Sequence, residues 1–316
     1  MENRLKILLT TNIPAPYMIE YLDCLGKKCD LTVLFEIGNA TDRNSQWYGK
    51  TENKSFNAVF LNAFRVSTES GLSFKVKKYL KIGFDRVIIA NPTTPTGIVA
   101  IMYCKSHKIK YILQSEGGFQ GSGKGLKEKI KKYLMKDASM FLTGMGGDND
   151  YFIPYGATKD TLKPYPFSSL RKDQIDTELV SPEIKASLRK KLSIVEEKVV
   201  ISVGRSVSFK GFDALLKAKT MIDSDVGFYI VGAEATDEYN KIISENNLLN
   251  VHFVPHCQYS KLKEYYKAAD IFALATRGDT WGLVINEAMS CGLPVITTNK
   301  CIAGLQLVEN GVNGYI

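Results

Sequence analysis

The sequence has no long apolar stretch. Its most hydrophobic runs, such as DRVIIA, have the length of a strand and fall far short of the ~20 residues that a membrane-spanning helix requires. Its opening, MENRLKILLTTNIPAPY, offers too brief an apolar core for a secretory signal and is broken by Asn12, Pro14 and Pro16. No CxxC pair occurs among Cys24, Cys29, Cys104, Cys257, Cys291 and Cys301, so buried free thiols are expected rather than a zinc or disulfide framework. His252, His256 and Cys257 come close together, but without a second ligand pair at zinc spacing they do not make a metal site. Short repeats and low-complexity tracts are also missing, which excludes solenoids. The expectation is a cytoplasmic protein with no resident metal or cofactor.

What is present is ordinary globular chemistry on the scale of two domains. The chain has 316 residues, 45% of them hydrophobic and 23% charged, enough to bury full cores. Forty-one Lys and Arg against 33 Asp and Glu leave a net charge of +8, which favours anionic partners without choosing among them.

Strand-like and amphipathic helical runs alternate throughout, the signature of parallel α/β architecture. In the first half the strands read LKILLT, LTVLF, RVIIA, KYILQ and MFLTG; in the second, KVVISV, GFYIV, VHFV, DIFALA and PVITT. Between them, YPFSSLRKDQIDTELVSPEIKASLRKKLSIVEEK loses strand character and gains charge, with Pro182 near a helix start. Two doubly wound domains are expected, residues 1–170 and 171–316. Ligands of such sheets bind beyond the carboxyl ends of the strands, so the loops there carry the search for chemistry.

Two of those loops stand out in the second half. In VVISVGRSVSFKGFDALLKA, Arg205 and Lys210 share a strand-to-helix turn, and a guanidinium beside an ammonium suits a diphosphate. In RGDTWGLVINEAMSCGLPV, Asp279 lies in a Gly-containing loop, and Val284, Ala288 and Cys291 recur at helical spacing and place Glu287 in the helix's first turns. Two carboxylates thus flank a helix N-terminus, which itself attracts anions. The pattern suits a ligand with both hydroxyls and phosphate.

The conjunction of these two segments with SCGLPVITT and LVENGVNGYI resembles the donor domain of family 4 glycosyltransferases of the GT-B fold, over essentially the whole second half. The family's E-x7-E motif reads D-x7-E here, with Asp279 one methylene shorter than the glutamate it replaces. The resemblance implies two Rossmann-like domains facing a cleft, a nucleotide-sugar co-substrate, and retention of anomeric configuration. It gives Arg205 and Lys210 the diphosphate, Glu287 the ribose hydroxyls and Asp279 the transferred sugar, with Trp281, Gly282 and Leu283 bringing backbone close to the ligand and Val254 near the base. Arg205, Lys210, Asp279 and Glu116 are the candidate catalytic groups. Family members continue beyond the point where this chain stops at NGYI, so the donor domain is expected to be C-terminally short. A donor-binding but weakly catalytic protein, or a sugar-nucleotide epimerase, is an alternative.

The first half resembles polysaccharide-assembling bacterial members of the family in TTNIPAPY, where Asn12 and Tyr17 would shape an acceptor entrance; two prolines stiffening a turn explain the segment equally well. In YILQSEGGF, Glu116 follows a strand where relatives carry a catalytic His or Asp. A rival reading comes from GFQGSGKG, a G-x-x-x-x-G-K phosphate loop of an NTPase except that Gly125 replaces the magnesium-binding hydroxyl. Next, Lys124, Lys127, Lys129, Lys131, Lys132 and Lys136 surround Leu126, Ile130, Tyr133 and Leu134. That stripe either packs on the sheet or lies on an anionic membrane, so residues 124–136 make peripheral contact with the inner face of the plasma membrane a second expectation. A glycan or lipid-linked acceptor is the expected partner, and nucleic acid is not.

Overall fold

A computed structural model describes residues 4–41, 48–121, 124–144, 150–165, 170–176, 178–222 and 225–316. The chain divides into two compact units, Met1–Phe167 and Ser168–Ile316, and each is a parallel sheet with helices on its faces.

The first unit carries a seven-stranded sheet in the order β3-β2-β1-β6-β7-β8-β9. Its strands are β1 (Lys6–Thr11), β2 (Asp30–Phe35), β3 (Asn57–Phe60), β6 (Arg86–Ile89), β7 (Ile112–Ser115), β8 (Met140–Thr143) and β9 (Leu162–Pro164), and a small antiparallel hairpin, β4 (Phe64–Arg65) with β5 (Gly71–Leu72), interrupts the series. The helices are α1 (Pro16–Gly26), α2 (Val76–Leu80), α3 (Pro95–Ser106) and α4 (Leu126–Met135). Alternate side chains of one strand serve opposite faces. On β1, Leu8 therefore joins a core with α2, α3 and α4, whereas Leu9 joins one with α1. Pro16 and Pro95 open their helices within the first turn, where the missing N–H costs nothing.

The second unit carries a six-stranded sheet in the order β12-β11-β10-β13-β14-β15. Its elements are α5 (Pro182–Lys191), β10 (Lys198–Val203), α6 (Phe212–Lys219), β11 (Val226–Val231), α7 (Asp237–Glu245), β12 (Val251–Val254), α8 (Tyr259–Ala268), β13 (Ile271–Leu274), α9 (Leu283–Ser290), β14 (Val295–Thr297), α10 (Ile302–Leu307) and β15 (Gly314–Tyr315). Every strand pair in both main sheets is parallel. Strand order reverses between β1 and β6 in one unit and between β10 and β13 in the other. The crevices beyond these reversals are where such sheets take ligands.

Two expectations need correction. The stripe of Leu126, Ile130, Tyr133 and Leu134 does not pack on the sheet as a whole. Leu134 and Met135 are buried, but Leu126, Ile130 and Tyr133 are exposed. The inward face of α4 is built instead from Glu128, Lys131 and Met135, at i, i+3 and i+7, with Tyr155 donating to Glu128 at 2.5 Å and Lys131 pairing with it at 3.2 Å. The thiols also divide: Cys29, Cys104, Cys291 and Cys301 are buried, but Cys24 is exposed and Cys257 half-buried, all unbridged.

Candidate functional site: a cation, two carboxylates and a helix start at one strand reversal

In the second unit the loops after β10 and β13 meet at the reversal point. The turn after β10 ends in a 3-10 helix, Ser208–Lys210, and at Gly211, with φ of 73°, passes into α6. A Cβ on Gly211 would stand 1.8 Å from the carbonyl oxygen of Ala275, so only glycine lets this turn lie on the end of β13. Hydrogen bonds fasten the contact. Arg277 N donates to Phe209 O at 2.7 Å and Thr276 Oγ1 to the same carbonyl at 2.8 Å. The Arg277 guanidinium grips Asp213 on α6 with two bonds of 2.8 and 2.6 Å and holds that carboxyl below its ordinary range. Such a bidentate fork fixes geometry as well as charge.

The staple places Lys210 against Asp279. Lys210 Nζ donates to Asp279 Oδ2 at 2.6 Å, with both side chains largely covered at 14% and 17% exposure. Arg205 follows β10 on the same turn, its carbonyl accepting from Val207 N at 2.8 Å. Asp279 is held in turn by a backbone bond from its N–H to Lys300 O at 2.8 Å. Three residues on, Gly282 sits at φ of 92° as the residue before α9. A Cβ there would lie 2.4 Å from Cys301 Sγ and 3.8 Å from the Asp279 carboxyl carbon. The glycine therefore lets α9 begin beside Asp279, with no side-chain cap over its first amides. The indole of Trp281 points inward, 7% exposed, and donates to Asn286 Oδ1 at 2.8 Å; its carbonyl receives Ala303 N at 2.8 Å.

Glu287 lies one turn into α9. Burial pushes its carboxyl up to about 7, opposed by a hydrogen bond from Tyr266 and by the charge of Lys210. The Tyr266 hydroxyl donates at 3.0 Å from a ring with no exposure. Lys210 thus acts electrostatically on both carboxylates. Val254 stands apart from this group, ending the edge strand β12 with β11 between it and β10.

In the first unit the structure joins two residues distant in sequence. The Tyr17 hydroxyl, on the first turn of α1, donates to Glu116 Oε1 just past β7 at 2.7 Å. Burial, and after it the Glu116 charge, drives far upward the phenol of Tyr165, whose ring lies 5.6 Å from that of Tyr21. Asn12, at the end of β1, takes Ile37 N on its carbonyl at 3.1 Å. The phosphate-loop-like run fares differently. Its Ser122 and Gly123 lie outside the described residues. At its flank a Cβ on Gly121 would meet Glu128 Oε2 at 2.6 Å, so a carboxylate braced by Tyr155 and Lys131 lies against that glycine. A fixed negative charge there opposes a bound phosphate.

Sequence reasoning did not find the Arg277–Asp213 staple, the Tyr266–Glu287 bond, or Cys301 beneath Gly282. None has a local signal, because each partner lies on another element. Among the described residues, no cluster of three His, Cys, Asp or Glu side chains could hold a metal ion.

Residues 184–316 match the family described as Glycosyl transferases group 1. An uncharacterized glycosyltransferase of Haemophilus influenzae is 34% identical over 134 residues, covering 40% of this chain and 37% of that protein. The D-inositol 3-phosphate glycosyltransferase of Geodermatophilus obscurus is 28% identical over 158 residues, 45% of this chain and 35% of that one. The chain thus matches little more than a third of the length of these relatives. Among solved structures, HepE of Anabaena in complex with UDP superposes with a TM-score of 0.76 at 18% identity, over 98% of this chain and 85% of that one, a likeness of fold. The match to the group 1 glycosyltransferase family falls in the second unit. The chain as a whole has the GT-B fold, two Rossmann-like domains.

Proposed function

We propose that the protein is a retaining glycosyltransferase, moving a hexose or related sugar from a nucleoside-diphosphate donor to a hydroxyl of a glycan or lipid-linked saccharide in cell-surface polysaccharide synthesis, at the cytoplasmic face of the membrane. The observation that carries this reading is the cluster of Lys210, Asp279 and Glu287 around the start of α9, at the strand reversal of the unit that matches the group 1 glycosyltransferase family. HepE of Anabaena, which shares the fold, binds UDP.

Each residue takes a role that its chemistry fits. Arg205 and Lys210 neutralise the diphosphate, and the open amides at Gly282 and Leu283 add the partial positive charge of a helix N-terminus. Glu287 accepts the ribose hydroxyls and Asp279 those of the transferred sugar, with Trp281 shaping the loop between them and Val254 beside the base. In the reaction the anomeric C–O bond breaks with its electron pair leaving on the nucleoside diphosphate, and the acceptor oxygen bonds to the same carbon on the same face. The acceptor proton departs to the leaving phosphate or to Glu116, while Asn12 and Tyr17 line the acceptor side. Charge building on the leaving phosphate is what the cations stabilise, so the reading needs no resident metal.

Calorimetric titration with UDP-, GDP-, ADP-, CDP- and TDP-sugars tests it. Saturable heat with at least one donor, lost in Lys210→Ala, is expected. Flat heats with all five on folded protein would refute it.

A further inference from the structure

The first unit carries a surface that the transferase reading does not use. On α4, Leu126 is 74% exposed, Ile130 50% and Tyr133 60%, and their i, i+4, i+7 spacing sets them along one face. That face is opposite the one formed by Glu128, Lys131 and Met135, which satisfies the core without them. Among the described residues the stripe joins none of the apolar cores of its unit, although the helix is firmly seated: the Tyr111 hydroxyl donates to Leu134 O at 3.0 Å.

The neighbouring helix extends the stripe. Lys105, near the end of α3, donates to Tyr133 O at 2.6 Å and stands 4.1 Å above the Tyr133 ring. Both helices follow adjacent parallel strands, β6 and β7, and so run in the same direction. Met102, three residues before Lys105 on α3, is likewise 56% exposed, so apolar side chains stand exposed on both of these neighbouring helices.

Charge surrounds it on one sign. Lys127, Lys129, Lys132 and Lys136 are exposed beside the stripe. The two acids in residues 124–137 are both answered: Glu128 turns inward to Tyr155 and Lys131, and Asp137 pairs with Lys105 at 2.6 Å.

We infer that this α3–α4 surface docks on an anionic lipid bilayer, with Met102, Leu126, Ile130 and Tyr133 entering the interface and the lysines meeting headgroup charge. The chemistry favours lipid over its rivals. A nucleic acid would satisfy the lysines and leave the aliphatic side chains in water. A second copy of the same face would oppose like charges. Lysine stems spread over apolar surface while their ammonium groups reach outward, which is how interfacial helices bind. The inference extends the membrane-face part of the proposed function and is independent of the transfer chemistry.

The test is co-sedimentation of the full chain, without nucleotide sugar, with vesicles of phosphatidylglycerol and phosphatidylcholine or of phosphatidylcholine alone. Expected are binding to the anionic vesicles at low salt, a steep loss in 0.5 M salt, and little binding to neutral ones. Lys129→Gln with Lys132→Gln should weaken binding roughly tenfold or more, about fivefold per charge removed. Leu126→Ser with Ile130→Ser should weaken it comparably with an unchanged thermal midpoint, because both side chains lie outside the core. No sedimentation with anionic vesicles at low salt, or sedimentation indifferent to the apolar pair, would overturn the inference. So would duplex-DNA binding or self-association that replaces vesicle binding. Donor titration on the same preparation separates the two readings, since docking can fail while donor heat persists, and the reverse.

Discussion

Lys210 Nζ and Asp279 Oδ2 meet at 2.6 Å across 69 residues of chain, and the pair forms because Gly211 lets the turn after β10 lie on the end of β13. The cation is held in place by a carboxylate, so under the proposed function a diphosphate would meet a donor already oriented, with little ordering left to be done on binding.

Removal of either member should therefore be felt in turnover. Lys210→Ala is expected to lower it at least tenfold with the fold intact, since a charged hydrogen bond contributes about 1.5 to 3 kcal/mol. Asp279→Asn should also slow transfer, and the double variant should fall short of the product of the two effects, because the residues are in contact. Steady-state rates for the four proteins decide it; independent effects would show that the pair has no joint role.

Glu287 should make stability depend on pH. Its carboxyl titrates near 7 in the folded protein and near 4.3 in an unfolded chain, so the folded state holds the proton more tightly. The penalty for ionising it in place is absent below pH 4, grows as pH rises from about 4.5 to 7, and is complete above that range, on the order of 3 to 4 kcal/mol. Glu287→Gln should thus gain stability over the parent at pH 8 and not at pH 4.5, read as the difference in urea midpoints. A gain that is the same at both pH values would contradict this account.

The same titration bears on the donor. A carboxylate that accepts ribose hydroxyls must be ionised, so nucleotide affinity should rise as pH passes upward through 7, and Glu287→Gln should flatten that slope. Calorimetry between pH 6 and 8 is the measurement.

Gly282 combines a left-handed backbone with a close approach to Cys301. Gly282→Ala should cost about 2 kcal/mol or more and displace the start of α9, weakening donor binding as well. Unfolding by urea gives the first effect and titration the second; an alanine variant as stable as the parent would refute the geometric argument.

On the first unit, the Tyr17–Glu116 bond gives a prediction that separates acceptor chemistry from donor binding. Glu116→Gln should slow transfer by ten- to a hundredfold with donor heat unchanged. Tyr17→Phe, which removes the donor to that carboxylate, should have a smaller effect of the same kind. Normal transfer by Glu116→Gln would end the idea.

Much of this molecule is written locally. KVVISV and VHFV coincide with β10 and β12, and MFLTG contains β8, because a buried parallel strand needs only a short β-branched or aromatic run between turn residues. Pro182 opens α5 behind a Ser181 cap, and Glu287 falls inside α9, for equally local reasons. The short β3, β4, β5, β9 and β15 were not legible, since none carries more than two β-branched or aromatic residues.

What the sequence alone determined was the order of elements and the identity of the polar groups in each loop after a strand. Only the tertiary structure decided which of these groups meet: Lys210 with Asp279, Tyr17 with Glu116, Tyr266 with Glu287. It also decided that α4 turns Glu128 and Lys131 inward and leaves Leu126, Ile130 and Tyr133 outside. Periodicity records that a helix has an apolar stripe. Which side is buried is set by neighbours distant in sequence, here Tyr155 and Tyr111, whose hydroxyls satisfy the inward polar groups and so make the unexpected orientation the stable one.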